Sequence, residues 1–295
     1  MAKRTRTTVG VTGAGGYLGG AVASLLREKG YDVVEYRRNA SEDDNGSPVR
    51  GLQLDAPIGP DVFEGLHSLV LAAWDLSETN GAKSWERNVE GSKRIVSAAR
   101  AAGVSRIVFV SSMSAYYGTH QNYGLMKLAV ERAVLEIGGV VVRPGLVYGG
   151  TPGGMTLTLS RLARLPVIPV FRGANLFTAH VDDVVGAVAT LAADREVASA
   201  VVGLANPVPV PFKEIMRAIG DAVGSSAKTI DIPWRPLLLL LQTLEKVGVP
   251  LPVRSDSLLG LVRPASDVPG LDVAASLGLA FRPFPDGLDE SFEVS

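Results

Sequence analysis

Short apolar runs alternate with amphipathic stretches through the first half of the chain. Thr8–Val11 reads as a strand, and Tyr17–Lys29 as a helix that sets Leu18, Val22, Leu25 and Leu26 on one face. Asp32–Tyr36, Gly51–Leu54, Ser68–Ala73, Arg106–Val110 and Val140–Arg143 read as further strands. Of these, Arg106–Val110 is almost continuously apolar, the pattern of a strand covered on both faces. Two more helices are predicted, Trp85–Ala102, closed by Gly103 in a left-handed cap, and Tyr123–Ile137. Such alternation predicts an α/β fold built on a doubly wound parallel sheet.

The regularity loosens near residue 151, where proline becomes more frequent. Residues 1–150 are assigned to the sheet domain and 151–295 mostly to a smaller lobe, with Phe177–Leu191 returning to the sheet at about 175–200. Asn39–Pro48 reads as a polar loop. Trp234, Leu237–Leu241 and Leu244 make an apolar surface in the lobe, either its core or the wall of a greasy pocket.

Composition narrows the function classes. Hydrophobic residues at 46% and charged residues at 20% describe a folded chain rather than a disordered one. A net charge of −1 supplies no field to draw nucleic acid or an anionic membrane. The absence of cysteine excludes disulfides, thiolate catalysis and thiolate-held metals. His67, His120 and His180 lie far apart in sequence, so no metal site is predicted. The basic start, Met1–Thr8, lacks the apolar run of a signal peptide. The leucine run 237–241 meets Glu245 and Lys246 long before the roughly 20 apolar residues a bilayer requires. A cytoplasmic protein acting on a small molecule is expected, with a homodimer left open.

The chemistry starts between the first strand and first helix, where Gly13, Gly16 and Gly19 recur at the spacing of a phosphate cradle. Glycine permits the turn and the close backbone approach, and the helix start at Tyr17 and Leu18 directs free N–H groups at a pyrophosphate. About 20 residues on, just past the end of the second strand, stands Arg37. An acid there suits the ribose 2′-hydroxyl of NAD, whereas a guanidinium suits the 2′-phosphate of NADP. NADP is therefore preferred, and the neighbouring Glu35 keeps NAD open. Further along, Tyr123 and Lys127 stand four residues apart and share one helix face. The ammonium is expected to draw the phenol pKa from about 10 toward neutrality. Tyr123 would then exchange a proton with a substrate hydroxyl or carbonyl oxygen while a nicotinamide exchanges hydride with the adjoining carbon.

Several motifs occur in a fixed order. Thr12–Gly19 resembles the TGxxGxxG signature of extended short-chain dehydrogenase/reductases, the NAD-dependent epimerase/dehydratase family. Asp55, the pair Ala72-Ala73, Asn88-Val-Glu-Gly-Ser92, Phe109-Val-Ser-Ser112, Tyr123-Gly-Leu-Met-Lys127, the segment beginning Arg143-Pro144 and Val181-Asp-Asp183 resemble later motifs of that family. The resemblance implies a Rossmann fold and a cofactor bound by Gly13, Gly16, Tyr17, Leu18, Gly19, Arg37, Asp55, Ala72, Ala73, Lys127 and Pro144. It implies catalysis by Tyr123, Lys127 and a serine, with Asn88 supporting a water linked to the lysine. Ser112 is preferred as that serine because it ends the strand eleven residues before Tyr123, with Ser114 in reserve. Counting back from Tyr117-Gly118 in the family's manner falls instead on Met113. Thr119–Asn122 is shorter than the family's usual connection, which points to a more open pocket or to substrates other than nucleotide sugars.

Asp182 and Asp183 are read as capping the helix after them, and Arg172 as a surface residue. The leading function is an NAD(P)-dependent oxidoreductase interconverting a secondary alcohol and a ketone. One alternative is a nucleotide-sugar epimerase or dehydratase with tightly bound NAD. Against a dehydratase, no Asp-Glu pair follows Ser111-Ser112. The other alternative is a non-catalytic dinucleotide sensor or assembly protein, for which Tyr123 and Lys127 would be superfluous.

Overall fold

The computed structural model describes residues 7–39, 48–78, 80–151, 153–193, 197–249, 251 and 253–288. Most of the polar loop read at Asn39–Pro48, and the first residues of the basic start, lie outside the described residues. The first half runs β1 (Thr8–Thr12), α1 (Tyr17–Glu28), β2 (Asp32–Arg37), β3 (Val49–Gly51), β4 (Ser68–Leu71), α2 (Gly81–Trp85), a π-helical turn at Glu86–Glu90, α3 (Gly91–Ala101), β5 (Arg106–Val110), α4 (Asn122–Glu136) and β6 (Val140–Pro144). Then follow β7 (Leu146–Tyr148), α5 (Gly154–Ala163), β8 (Val167–Val170), β9 (Asn175–Leu176), β10 (Thr178–His180), α6 (Val181–Ala193), β11 (Val201–Leu204), β12 (Val210–Pro211) and α7 (Phe212–Ala222). The last elements are β13 (Lys228–Asp231), α8 (Trp234–Lys246), α9 (Ser255–Val262) and α10 (Leu271–Ser276).

Seven strands form one parallel sheet in the order β11-β6-β5-β4-β1-β2-β3. The order reverses between β1 and β4, and a doubly wound Rossmann sheet opens its binding crevice beyond the strand ends at such a reversal. Val9, Val11, Val108 and Val142 bury one sheet face beneath α1 and α6. Leu69, Leu71, Ile107 and Phe109 bury the other against α3 and α4. A separate core of Leu159, Val170, Ile215, Met216, Leu241 and Leu258 holds the C-terminal lobe together. Between the two, α6 packs on the sheet and β11 extends its edge by pairing with β6.

Two boundaries differ most from the sequence reading, and β4 ends at Leu71 rather than Ala73. The third strand is Val49–Gly51 rather than Gly51–Leu54. Leu52 and Leu54 alternate as a strand would, but they turn under α3, where Arg94 Nη2 donates to the Leu54 carbonyl at 2.8 Å. Helical structure begins at Gly81, not Trp85, because Asn80 Oδ1 accepts from the Lys83 amide at 3.1 Å.

Candidate active site

The glycine-rich loop is shaped by contacts no side chain would allow. Gly13 has φ +68°, and a Cβ there would stand 2.9 Å from the Ala73 backbone. A Cβ on Gly19 would meet the Gly13 carbonyl oxygen at 2.3 Å, and one on Gly16 would meet it at 3.2 Å. Thr12 Oγ1 accepts from the amides of Ala72 and Ala73, both at 3.1 Å, clamping β1 to the end of β4. Gly16 makes no side-chain cap on α1, so the first-turn amides point outward at the loop. This cradle fits a pyrophosphate, and a nicotinamide dinucleotide suits the residues around it.

Arg37 ends β2 beside this loop, its Cδ within 4.0 Å of a Cβ built on Gly15. Its Nη2 lies 2.6 Å from Glu35, and Arg27 holds the other oxygen of that carboxylate. Glu35 is thus buried and doubly engaged, and Arg37, which also donates to it from Nε at 2.8 Å, is the more exposed of the pair. Asp55 is half exposed and pairs with Arg87 at 3.1 Å. Arg87 also donates to Asp75 at 2.6 Å.

At the end of the sheet, Tyr17, Leu18, Ser112, Tyr123 and Pro144 line one cavity of about 710 Å³. The Tyr17 hydroxyl donates to the Gly149 carbonyl at 2.6 Å, bracing the start of α1 against the lobe. Ser112 lies on the same cavity wall as Tyr123, and its hydroxyl accepts from the Ser114 amide at 3.1 Å. Met113 turns inward to an apolar cluster. Lys127 is buried, donates to the Val110 carbonyl at 2.8 Å and lies 3.7 Å from the centre of the Trp74 ring. Trp74 meets Tyr123 edge-on at 5.8 Å, so indole, phenol and ammonium form one packed group.

The electrostatics correct one expectation. Burial raises the Tyr123 pKa to about 12, with the Ser112 side chain opposing it. Burial also lowers Lys127 to about 7, against the pull of Glu131 one turn on. Among the protein's own groups, desolvation therefore outweighs the ammonium that was expected to draw the phenol down.

Asn88 sits in the π turn, fully buried. Its Oδ1 accepts from the Asp75 amide at 2.7 Å, and its Nδ2 donates to the Asp75 carbonyl at 2.8 Å and Ser84 Oγ at 3.3 Å. Asp183 does not cap: it lies inside the first turn of α6 and grips the Arg282 amide and guanidinium. Arg172 is exposed. Among the described residues, no group of three or more histidines and carboxylates is placed to hold a metal. Nor is any helix long and apolar enough to cross a membrane.

Two contributors were not singled out from sequence. Trp74 follows the Ala72-Ala73 pair directly, and its bulk after two small residues was the available signal. Asp256, on α9, accepts from the Asn122 amide at 2.7 Å and the Tyr123 amide at 3.1 Å, so it caps α4 from the other lobe. No local pattern announces that contact.

The model of the NAD-dependent epimerase/dehydratase family matches residues 9–202. The chain is similar to ceramide reductase of Caulobacter vibrioides, 32% identical over 256 residues that cover 79% of this chain and 76% of that one. It is also similar to 2-alkyl-3-oxoalkanoate reductase of Stenotrophomonas maltophilia, 27% identical over 257 residues covering 73% and 75%. Among solved structures, MoeE5 in complex with UDP-glucose and NAD has the same fold, with a TM-score of 0.73, 23% identity and 97% of each chain covered.

Proposed function

The chain belongs to the NAD-dependent epimerase/dehydratase family, and from that premise we propose that it is an NADP-preferring oxidoreductase interconverting a ketone and a secondary alcohol. It is an enzyme, and its cofactor is a nicotinamide dinucleotide. The observation that carries the proposal is that Tyr123 and Ser112 line one cavity wall together, with the Lys127 ammonium 5.6 Å from the centre of the Tyr123 ring. When bound, the nicotinamide supplies or takes the hydride. Ser112 holds the substrate oxygen, and the Tyr123 hydroxyl gives that oxygen a proton in reduction or takes one in oxidation. Lys127 replenishes and polarises the phenol from its own helix turn. Asn88 fixes the Asp75 main chain, keeping the segment after β4 closed along the cofactor groove. The preference for NADP rests on Arg37, whose guanidinium is partly exposed at the end of β2, whereas the Glu35 carboxylate is buried beneath Arg27 and Arg37.

The test is to denature purified protein, identify any released nucleotide by mass spectrometry, and follow NADPH oxidation with ketones. Protein free of nucleotide that oxidises NADPH faster than NADH supports the proposal. Stoichiometric NAD, with UDP-glucose converted and no net redox change, would replace it with the epimerase reading.

A further inference from the structure

The wall beyond Tyr123 is built for carbon. Trp74, Trp85, Met126, Met155, Phe177 and Leu261 face the cavity. Three large apolar residues of the same wall are left exposed, Leu76 at 71%, Trp85 at 41% and Leu125 at 43%. They come from the segment after β4, from α2 and from α4, so they meet only around this cavity. Exposed apolar surface gathered around one opening marks a place that a ligand covers.

The charged groups of the wall point the same way. They are Asp75, Glu78, Arg254 and Asp256, three carboxylates against one guanidinium. Each has a partner. Asp75 is held by Ser77 and Arg87, and Asp256 caps α4. Glu78 accepts from the Asn80 amide, and Arg254 lies 3.7 Å from Glu245. A nucleotide sugar would bring a second pyrophosphate, with about two negative charges, beside Glu78 and Asp256, where Arg254, 3.7 Å from Glu245, is the one guanidinium of the wall. Coulomb repulsion in a half-enclosed site opposes that ligand. A hydrocarbon chain meets no such barrier and gains by covering the exposed rim.

We infer that the substrate is an uncharged ketone, or its alcohol, carrying a hydrocarbon chain, with the carbonyl at Tyr123 and Ser112 and the chain along Trp74, Trp85, Leu125 and Leu76. This rests on the proposed ketone reductase and names the substrate class of its site.

The experiment uses the full chain loaded with NADP and a series of 2-alkanones from 2-butanone to 2-decanone, with UDP-glucose in parallel. Binding is read by tryptophan fluorescence, since Trp74 and Trp85 both line the site, and turnover by NADPH oxidation. Affinity should rise roughly fourfold for each added CH₂ until the wall is covered, and UDP-glucose should not bind at millimolar concentration. Trp85→Ala and Leu125→Ser should flatten the dependence on chain length. A flat series, or UDP-glucose binding tighter than the longest ketone, overturns the inference whether or not any ketone is reduced. Ketones that bind with the expected slope but oxidise no NADPH would instead sink the reductase reading and leave the inferred chain site standing.

Discussion

Lys127 donates to the Val110 carbonyl beneath the Trp74 ring, and burial there brings its pKa from 10.5 to about 7. Between those two values the folded protein binds one proton fewer than the unfolded chain. Stability therefore rises with pH through that window, and the whole penalty persists below it. Lys127→Met should abolish turnover yet raise the melting temperature near neutral pH. The gain should shrink as the pH is raised toward 10.5, each kcal/mol recovered being worth roughly 2–4 °C in calorimetry. Tyr123→Phe should lower kcat by about 10²–10⁴ in NADPH-coupled assays while leaving the Kd for NADPH unchanged. Unaltered turnover would remove Tyr123 from the proton-transfer role. Arg37→Gln should weaken NADPH roughly tenfold to a hundredfold by titration and leave NADH nearly untouched, since each charged hydrogen bond is worth about 1.5–3 kcal/mol. These positions were readable from sequence because their spacing expresses one constraint each: a turn, a strand end, a helix face. The titration of Tyr123 was not, because it depends on what surrounds the phenol rather than on its distance from Lys127 along the helix.

The elements divide along the same line. β5, α1 and α4 were predicted to within a residue or so, since their apolar period reflects burial by neighbours close in sequence. β3 was displaced because Leu52 and Leu54 answer to α3 instead of to a sheet partner. β11 was not predicted, as a four-residue edge strand carries too short a pattern to distinguish it from the irregular chain around it. The cap of α4 lay furthest out of reach, because its acceptor is on α9. Asp256→Ala should strip two helix-start amides of their acceptor and cost about 1–2 kcal/mol. Hydrogen exchange by mass spectrometry should show the loss at residues 121–126, with the β1–α1 loop unchanged. Faster exchange spread evenly over the chain would mean that Asp256 stabilises the fold generally and not this helix.

The whole molecule joins a sheet, read mostly from its first half, to a lobe whose own core comes from α5, α7, α8 and α9. The cofactor half was legible because phosphate binding demands glycines in order, whereas the lobe answers only to shape, and many sequences satisfy a shape. Saturating NADPH should raise the melting temperature more than NADH does at equal concentration, by the logarithm of the ratio of ligand to Kd. Equal shifts would argue against Arg37 as the phosphate reader. The bonds from Asp256 to α4 also set an order in time. A ribosome releases Tyr123 long before it releases its cap, 133 residues further on. At about 5–20 residues per second, the nascent chain holds that helix start unfinished for roughly 7–27 seconds. Through that interval the start of α4 lacks the acceptor that closes it, so Tyr123 is anchored only once α9 has emerged.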